Sequence, residues 1–214
     1  MVTYGKIIAY DGAKLKIVAP FQDDQLMIKQ GIREVEVRLI DGRSISAIQR
    51  MKVYALIRDI SLYTGHVPDE LKMILKYGFL AETGLEYFSL SDVDMTTARE
   101  FISYLIDFCL EWNVPCQDSL LNLTDDISRY LYSCLARKKC CLCGIKSELH
   151  HLDAVGMGRD RKEILHEGME TIALCNKHHR ECHSIGKITF CDKYHVYGIR
   201  LDKYLCELLG VNNG

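Results

Sequence analysis

The chain has 214 residues, a formal net charge of −2, 48% hydrophobic and 26% charged residues, and ten cysteines. That length holds one large domain or two modest ones, and the near-neutral charge excludes a globally basic nucleic-acid binder, so any affinity for a polyanion must come from local patches. No run approaches the ~20 apolar residues of a membrane span and the start, Met1 to Lys6, lacks an apolar signal core, so the cysteines are expected in a reducing cytosol rather than in a disulfide scaffold.

Residues 2–10 and 13–19 are apolar-rich runs separated by Asp11-Gly12, which reads as a hairpin. Residues 21–30 read as a short strand or an irregular turn. Over 32–40, Ile32, Val35, Val37 and Leu39 alternate with Glu34, Glu36 and Arg38, the pattern of a half-buried strand, and Asp41-Gly42-Arg43 turns the chain out of it. From Ser46 the spacing becomes helical and persists to about Tyr63, with Thr64-Gly65 as the stop. Pro68-Asp69-Glu70 opens a second helix that buries Leu71, Ile74, Leu75 and Phe79. Residues 82–93 read as a connecting loop with one short strand or turn. Thr97-Ala98-Arg99-Glu100 reads as a capping box that starts a long helix with Phe101, Ile102, Leu105, Ile106, Cys109 and Trp112, closed by Val114-Pro115.

Residues 116–123 form the expected linker, with Leu120, Leu121 and Leu123 docking it. Thr124-Asp125-Asp126 caps a helix running to about Arg137, and Arg137, Lys138 and Lys139 form either a solvated helix end or a phosphate contact. Cys109, Cys134 and Cys206 fall in helical apolar patterns and read as small core residues, whereas Cys116, Cys141, Cys182 and Cys191 take no role. Residues 170–175 read as a strand, 176–186 as a helix and Asp202–Leu209 as a last short helix, with Val211 to Gly214 frayed.

The chemistry concentrates between Cys140 and His183. Cys140-x-x-Cys143 and Cys175-x-x-His178 make a soft tetrahedral donor set that suits zinc. His150, His179 and His183 remain. His179 and His183 are four apart and share one helix face, while His150 has to come from a facing strand. Three imidazoles leave open positions on a cation, as a catalytic site requires. On a strand His151 points away from His150, which leaves it free to act as a base on water. A purely structural zinc module accounts for the first set but not for these four histidines.

The pattern Cys-x-x-Cys, His150-His151, Cys-x-x-His-His-x-x-x-His over about 138–186 resembles an HNH nuclease of the ββα-metal class, in which two strands and a helix clasp one divalent cation. The resemblance implies that His151 is the general base, that His150, His179 and His183 hold a catalytic divalent cation such as Mg²⁺ or Mn²⁺, and that Cys140, Cys143, Cys175 and His178 hold a structural zinc. It also implies cleavage leaving a 5′-phosphate. The Asn of the motif sits about five residues before the second knuckle in the family. Here Glu170 holds that place, and a carboxylate cannot donate as an amide does. Helping to bind the cation or a water is the alternative for Glu170, and its role and that of Asn176 stay open. The loop Val155–Lys162, with Arg159, Arg161 and Lys162, is expected over a DNA backbone, together with Arg180.

A second resemblance covers 46–113. Gly42-Arg43-Ser44-Ile45-Ser46, Gln49-Arg50 and Tyr54 to Ile60 are similar to the Gln-Arg helix of lambda-type Orf recombination mediators. The full chain then resembles an Orf-like domain (1–123) fused to a helix and HNH domain (124–199) with a C-terminal helix and tail (200–214), as in prophage HNH nucleases of Gram-positive bacteria. This implies a bacterial cytoplasmic protein acting on single-stranded or branched DNA in phage recombination, a homodimer, and cooperation with single-strand-binding protein. Arg43, Arg50, Lys52 and Arg58 are the cations it offers to DNA. The expected fold is α+β, a small antiparallel sheet with helices followed by a ββα-metal domain. The rival readings are a non-catalytic mediator that uses zinc as a scaffold, which Glu170 favours, and a nuclease of structured RNA.

Overall fold

The hydroxyl of Ser46 accepts from the Gln49 N–H while the Gln49 side chain accepts from the Ser46 N–H, a reciprocal pair that satisfies donors left open at a helix start. It launches α1 (Ala47–Thr64), which Gly65 closes in the left-handed region at φ 77°. The structure is a computed structural model describing residues 3, 5–20, 31, 35, 37, 42–152 and 165–212. Helix α2 (Pro68–Thr83) follows, then α3 (Met95–Trp112). The three pack together through Val53, Leu56 and Ile60 of α1, Leu75 and Phe79 of α2, and Phe101, Ile102 and Leu105 of α3.

Helix α3 starts at Met95, ahead of the capping box expected at Thr97. The Asp94 carboxylate accepts the Thr97 N–H at 2.9 Å, and a charged acceptor at the helix's positive end is a strong cap. The segments before α1 and α3 also pair, through Ile45 N–H to Val93 at 2.6 Å and Met95 N–H to Arg43 at 2.8 Å. Several cations are engaged within the chain. Arg50 donates to the carbonyls of Leu90 and Ser91, each at 2.9 Å, Lys52 pairs with Asp125 and with the Thr124 carbonyl, and Arg58 pairs with Asp59 at 2.9 Å.

The single turn α4 (Leu120–Leu123) docks through buried Leu123. Asp126 caps α5 (Ile127–Ala136), which lies against α3 with Arg129 and Arg137 both reaching Asp107, at 3.2 and 3.5 Å. At the N-terminal end, β1 (Lys6–Tyr10) and β2 (Leu15–Val18) pair antiparallel around Asp11, whose carboxylate accepts from the N–H groups of Ala13 and Lys14. The expectation for 21–30 lies outside the described residues. Of the strand expected over 32–40 only Val35 and Val37 are described, and both are exposed.

The second sheet carries three strands in the order β3 (Glu148–His151), β4 (Glu170–Leu174), β5 (Ile199–Arg200), all antiparallel. Helix α6 (Asn176–Ile185) follows β4 directly, so β3, β4 and α6 form a ββα unit. Two elements fall outside the sequence expectations, β5 and α7 (Lys187–Tyr194). Helix α7 begins straight after Gly186 and buries Phe190 completely. Helix α8 (Lys203–Leu209) closes the chain. Val211 and Asn212 are tied down rather than frayed: the Val211 N–H reaches Cys206 at 3.0 Å, and the Asn212 carbonyl accepts from His166 at 2.9 Å.

The molecule is therefore α+β. Among the described residues, buried apolar side chains from Ile45 to Cys206 form one cluster that includes Cys109, Cys134 and Cys206, and none of the ten cysteines is in a disulfide. Among the described residues no helix is long and apolar enough to cross a membrane.

Candidate active site and metal centre

The first Cys pair sits on a tight turn. Cys140 N–H bonds to Ile145 and Gly144 N–H to Cys140, each at 2.8 Å. Gly144 takes a φ of 71°, a left-handed conformation that glycine adopts without strain. Cys141, between the two potential ligands, points into the core, and its N–H bonds the Ala173 carbonyl at 3.0 Å, fastening the turn to β4. The second pair is set by a helix start. Cys175 is the N-cap of α6, and His178 lies in the first turn.

These two pieces bring four soft donors together. His178 Nδ1 lies 3.3 Å from Cys140 Sγ, 3.3 Å from Cys175 Sγ and 3.7 Å from Cys143 Sγ, and the sulfurs of Cys143 and Cys175 are 3.7 Å apart. A tetrahedron with metal–sulfur bonds of ~2.3 Å has edges of about 3.7 Å. The donor set and its spacing thus fit zinc. Partial desolvation and then the neighbouring Cys140 push the Cys143 thiol up to about 12. So many thiols in contact resist ionising together unless a cation joins them.

The second cluster lies where β3 meets α6. The rings of His150 and His179 are 4.4 Å apart, and each is 4.9 Å from His183. Their ligand atoms all lie within 4.8 Å of one another. His150 is buried at 5% exposure. Burial first, and then the neighbouring His179, His183 and His151, bring its pKa down to about 4, so the ring is neutral near pH 7, the form that ligates a metal. Cys182 Sγ supports it at 3.4 Å from Nε2, and Glu148 Oε2 stands 3.5 Å from His179 Nδ1. The three rings fit a divalent cation with open positions.

His151 is not part of that cluster. It sits opposite Thr171 in the strand pair, whereas His150 sits opposite Ile172, and its Nε2 lies 2.9 Å from His166 Nδ1. Glu170 also stays out of the imidazole cluster. It begins β4 and pairs with Arg200 of β5 at 3.5 Å. Asn176 is exposed at the first position of α6, and Arg180 is exposed on the same helix. Arg159, Arg161 and Lys162 lie outside the described residues.

Helix α7 braces α6 from behind. Lys193 and the Tyr194 hydroxyl both donate to Glu181, at 2.6 and 2.8 Å, and Lys187 donates to the Leu152 carbonyl at the end of β3. Sequence reasoning missed three groups beside the site: Glu148, Cys182 and His166. Glu148 and His166 lie outside the knuckle spacings. The one available signal for Cys182 is that it immediately precedes His183 on a metal-facing helix.

A protein-family model described as "Putative HNHc nuclease" matches residues 20–212. No curated protein and no solved structure gives a match.

Proposed function

The chain belongs to that HNHc nuclease family, and we propose that it is a metal-dependent endonuclease that hydrolyses DNA phosphodiester bonds. The observation that carries this reading is the parting of two adjacent histidines: His150 joins His179 and His183, and His151 pairs with His166 instead. One group is thereby kept for proton transfer and three for a cation.

In this reading Cys140, Cys143, Cys175 and His178 hold a structural zinc, which ties the turn before β3 to the start of α6. His150, His179 and His183 hold a divalent cation, magnesium or manganese, which when bound stabilises negative charge on the phosphate and on the leaving oxygen. His151 accepts a proton from a water. The water oxygen bonds to phosphorus, the P–O bond to the 3′ oxygen breaks, and the departing oxygen takes a proton from solvent. Exposed Arg180, together with Arg159, Arg161 and Lys162, supplies cations for the phosphate backbone. Glu170 pairs with Arg200 of β5.

Single-stranded or branched recombination intermediates are the substrates we propose for it in phage recombination. The Orf-like half has less support, because Arg50, Lys52 and Arg58 are held by partners within the chain. The test is incubation of purified protein with single-stranded, duplex and branched DNA, each with magnesium, manganese or no divalent ion. Cleavage that requires the ion is the expected result. No cleavage of any DNA with any ion would leave the zinc-scaffold mediator standing in its place.

A further inference from the structure

His166 lies in none of the ligand spacings and belongs to neither cluster. Yet it is held firmly beside the site. Its N–H bonds the Asn212 carbonyl at 2.9 Å, and its own carbonyl accepts the Met169 N–H at 3.1 Å, closing a turn ahead of β4. That turn is fixed in turn by Gly168 N–H to Leu201 at 2.7 Å and Leu201 N–H to Met169 at 3.1 Å. Asn212, after α8, and Leu201, ahead of it, thus pin the turn that carries His166. The ring is set 5.0 Å from that of His151, with Nδ1 at 2.9 Å from His151 Nε2.

We propose that His166 is a positioning residue for the general base: its Nδ1 accepts a hydrogen bond from His151 Nε2–H, which fixes the His151 tautomer and makes Nδ1 of His151 the nitrogen that takes the proton from water. This rests on the reading of His151 as the base. Between two neutral imidazoles one nitrogen must donate and the other accept. If His166 donated, the proton of His151 would sit on Nδ1, and its only lone pair would be spent on His166. If His166 accepts, Nε2 carries the proton and the basic lone pair sits on Nδ1. Only the second arrangement leaves a usable base. Once His151 has taken the water's proton, it still donates through Nε2–H to His166, so the contact persists through the step. An imidazole partner here does what a carbonyl or carboxylate does for other catalytic histidines, orienting the ring and selecting its tautomer.

The test compares wild-type protein, His151→Ala, His166→Ala and His166→Asn on plasmid DNA and on a single-stranded oligonucleotide with manganese. Ring-nitrogen NMR of histidine-labelled, zinc-loaded protein without DNA runs in parallel, the His151 signals being identified by their loss in His151→Ala. His166→Ala should lower kcat by about 10–100-fold, the range typical of groups that orient a site histidine, with KM and zinc content unchanged. His166→Asn should recover part of the loss, because its Oδ1 can accept near the place of Nδ1. In the wild type the His151 signals should be those of the Nε2–H tautomer, and in His166→Ala those of a tautomer mixture. An Nδ1–H tautomer in the wild type would overturn the proposal. So would unchanged kcat in His166→Ala while His151→Ala is inactive, and that result would leave the nuclease reading in place. Wild-type protein that cuts neither DNA, or His151→Ala that cuts normally, would remove the reading of the base and the proposal with it.

Discussion

Two adjacent side chains, His150 and His151, stand in different surroundings because a strand sends neighbours to opposite faces. His150 is buried and neutral, and its protonation carries a clear sign. Its pKa falls from 6.5 in the open chain to about 4 when folded, so the folded state binds a proton less readily than the unfolded one. Its contribution to stability is complete above about pH 6.5 and is lost as the pH falls toward 4. Zinc-loaded protein with no other divalent ion added should melt at progressively lower temperature as the pH falls across that window. The slope should be shallower in His150→Gln, and equal slopes would place the pH sensitivity elsewhere. His179 tests the other side of the cluster. Its Nδ1 is supported by Glu148 and its ring meets His150 and His183. His179→Ala should weaken cation binding rather than proton transfer, so cleavage should fall and recover in part as manganese is raised. A loss that manganese cannot touch at any concentration would argue that His179 does not hold the cation.

The elements around the site divide into those that hold ligands and those that hold the elements. The turn at Cys140–Ile145 and the start of α6 face each other through four donor atoms, and the Cys141–Ala173 hydrogen bond ties the turn to β4. Cys140→Ser or Cys175→Ser should therefore abolish bound zinc and unfold the ββα unit, because the binding free energy of a structural zinc is folding free energy. Metal content and circular dichroism read this, and full native signal without zinc would contradict it. Helix α7 works by packing. Phe190 is fully buried against the core and its ring lies 4.9 Å from that of Tyr194. Phe190→Ala should destabilise the protein by about 3–5 kcal/mol, the usual range for a buried aromatic removed without refilling. Denaturant unfolding measures it. The elements that carry the two Cys and His clusters were legible in the sequence because each has spaced Cys or His residues and a period switch, strand at 170–174 and helix from Asn176. Helix α7 was not legible. Ile188 and Phe190 are two apart, which imitates a strand, and Gly186 joins α6 to α7 with no loop to mark a boundary. Strand β5 has two residues, too few for any period. The start of α3 was misplaced because Thr97-x-x-Glu100 fits a capping pattern, while the stronger carboxylate cap at Asp94 lies three residues earlier. His166 was invisible because its partner, fifteen positions away in the chain, comes near only through the turn that Asn212 and Leu201 pin.

At the scale of the whole molecule the buried cluster is continuous. Helix α5 packs on α3, on β4 and on α8, so the helical half and the ββα half share one apolar interior. The protein should accordingly melt in a single transition followed alike by circular dichroism and by Trp112 fluorescence, and a strong zinc chelator should shift that whole transition downward. Two separated transitions, only one of them sensitive to the chelator, would mean that the halves unfold independently. In the proposed mechanism this architecture sets His151, outside the three-imidazole ligand set, to act on water. The measurement that tests it most directly is cleavage of DNA with manganese by wild-type protein and by His151→Ala, each prepared free of contaminating nuclease and checked for zinc content, fold and DNA binding. His151→Ala should keep its zinc, its fold and its affinity for DNA while losing on the order of 10²–10⁴ in rate, the typical worth of a general base. Cleavage by His151→Ala at the wild-type rate would contradict it.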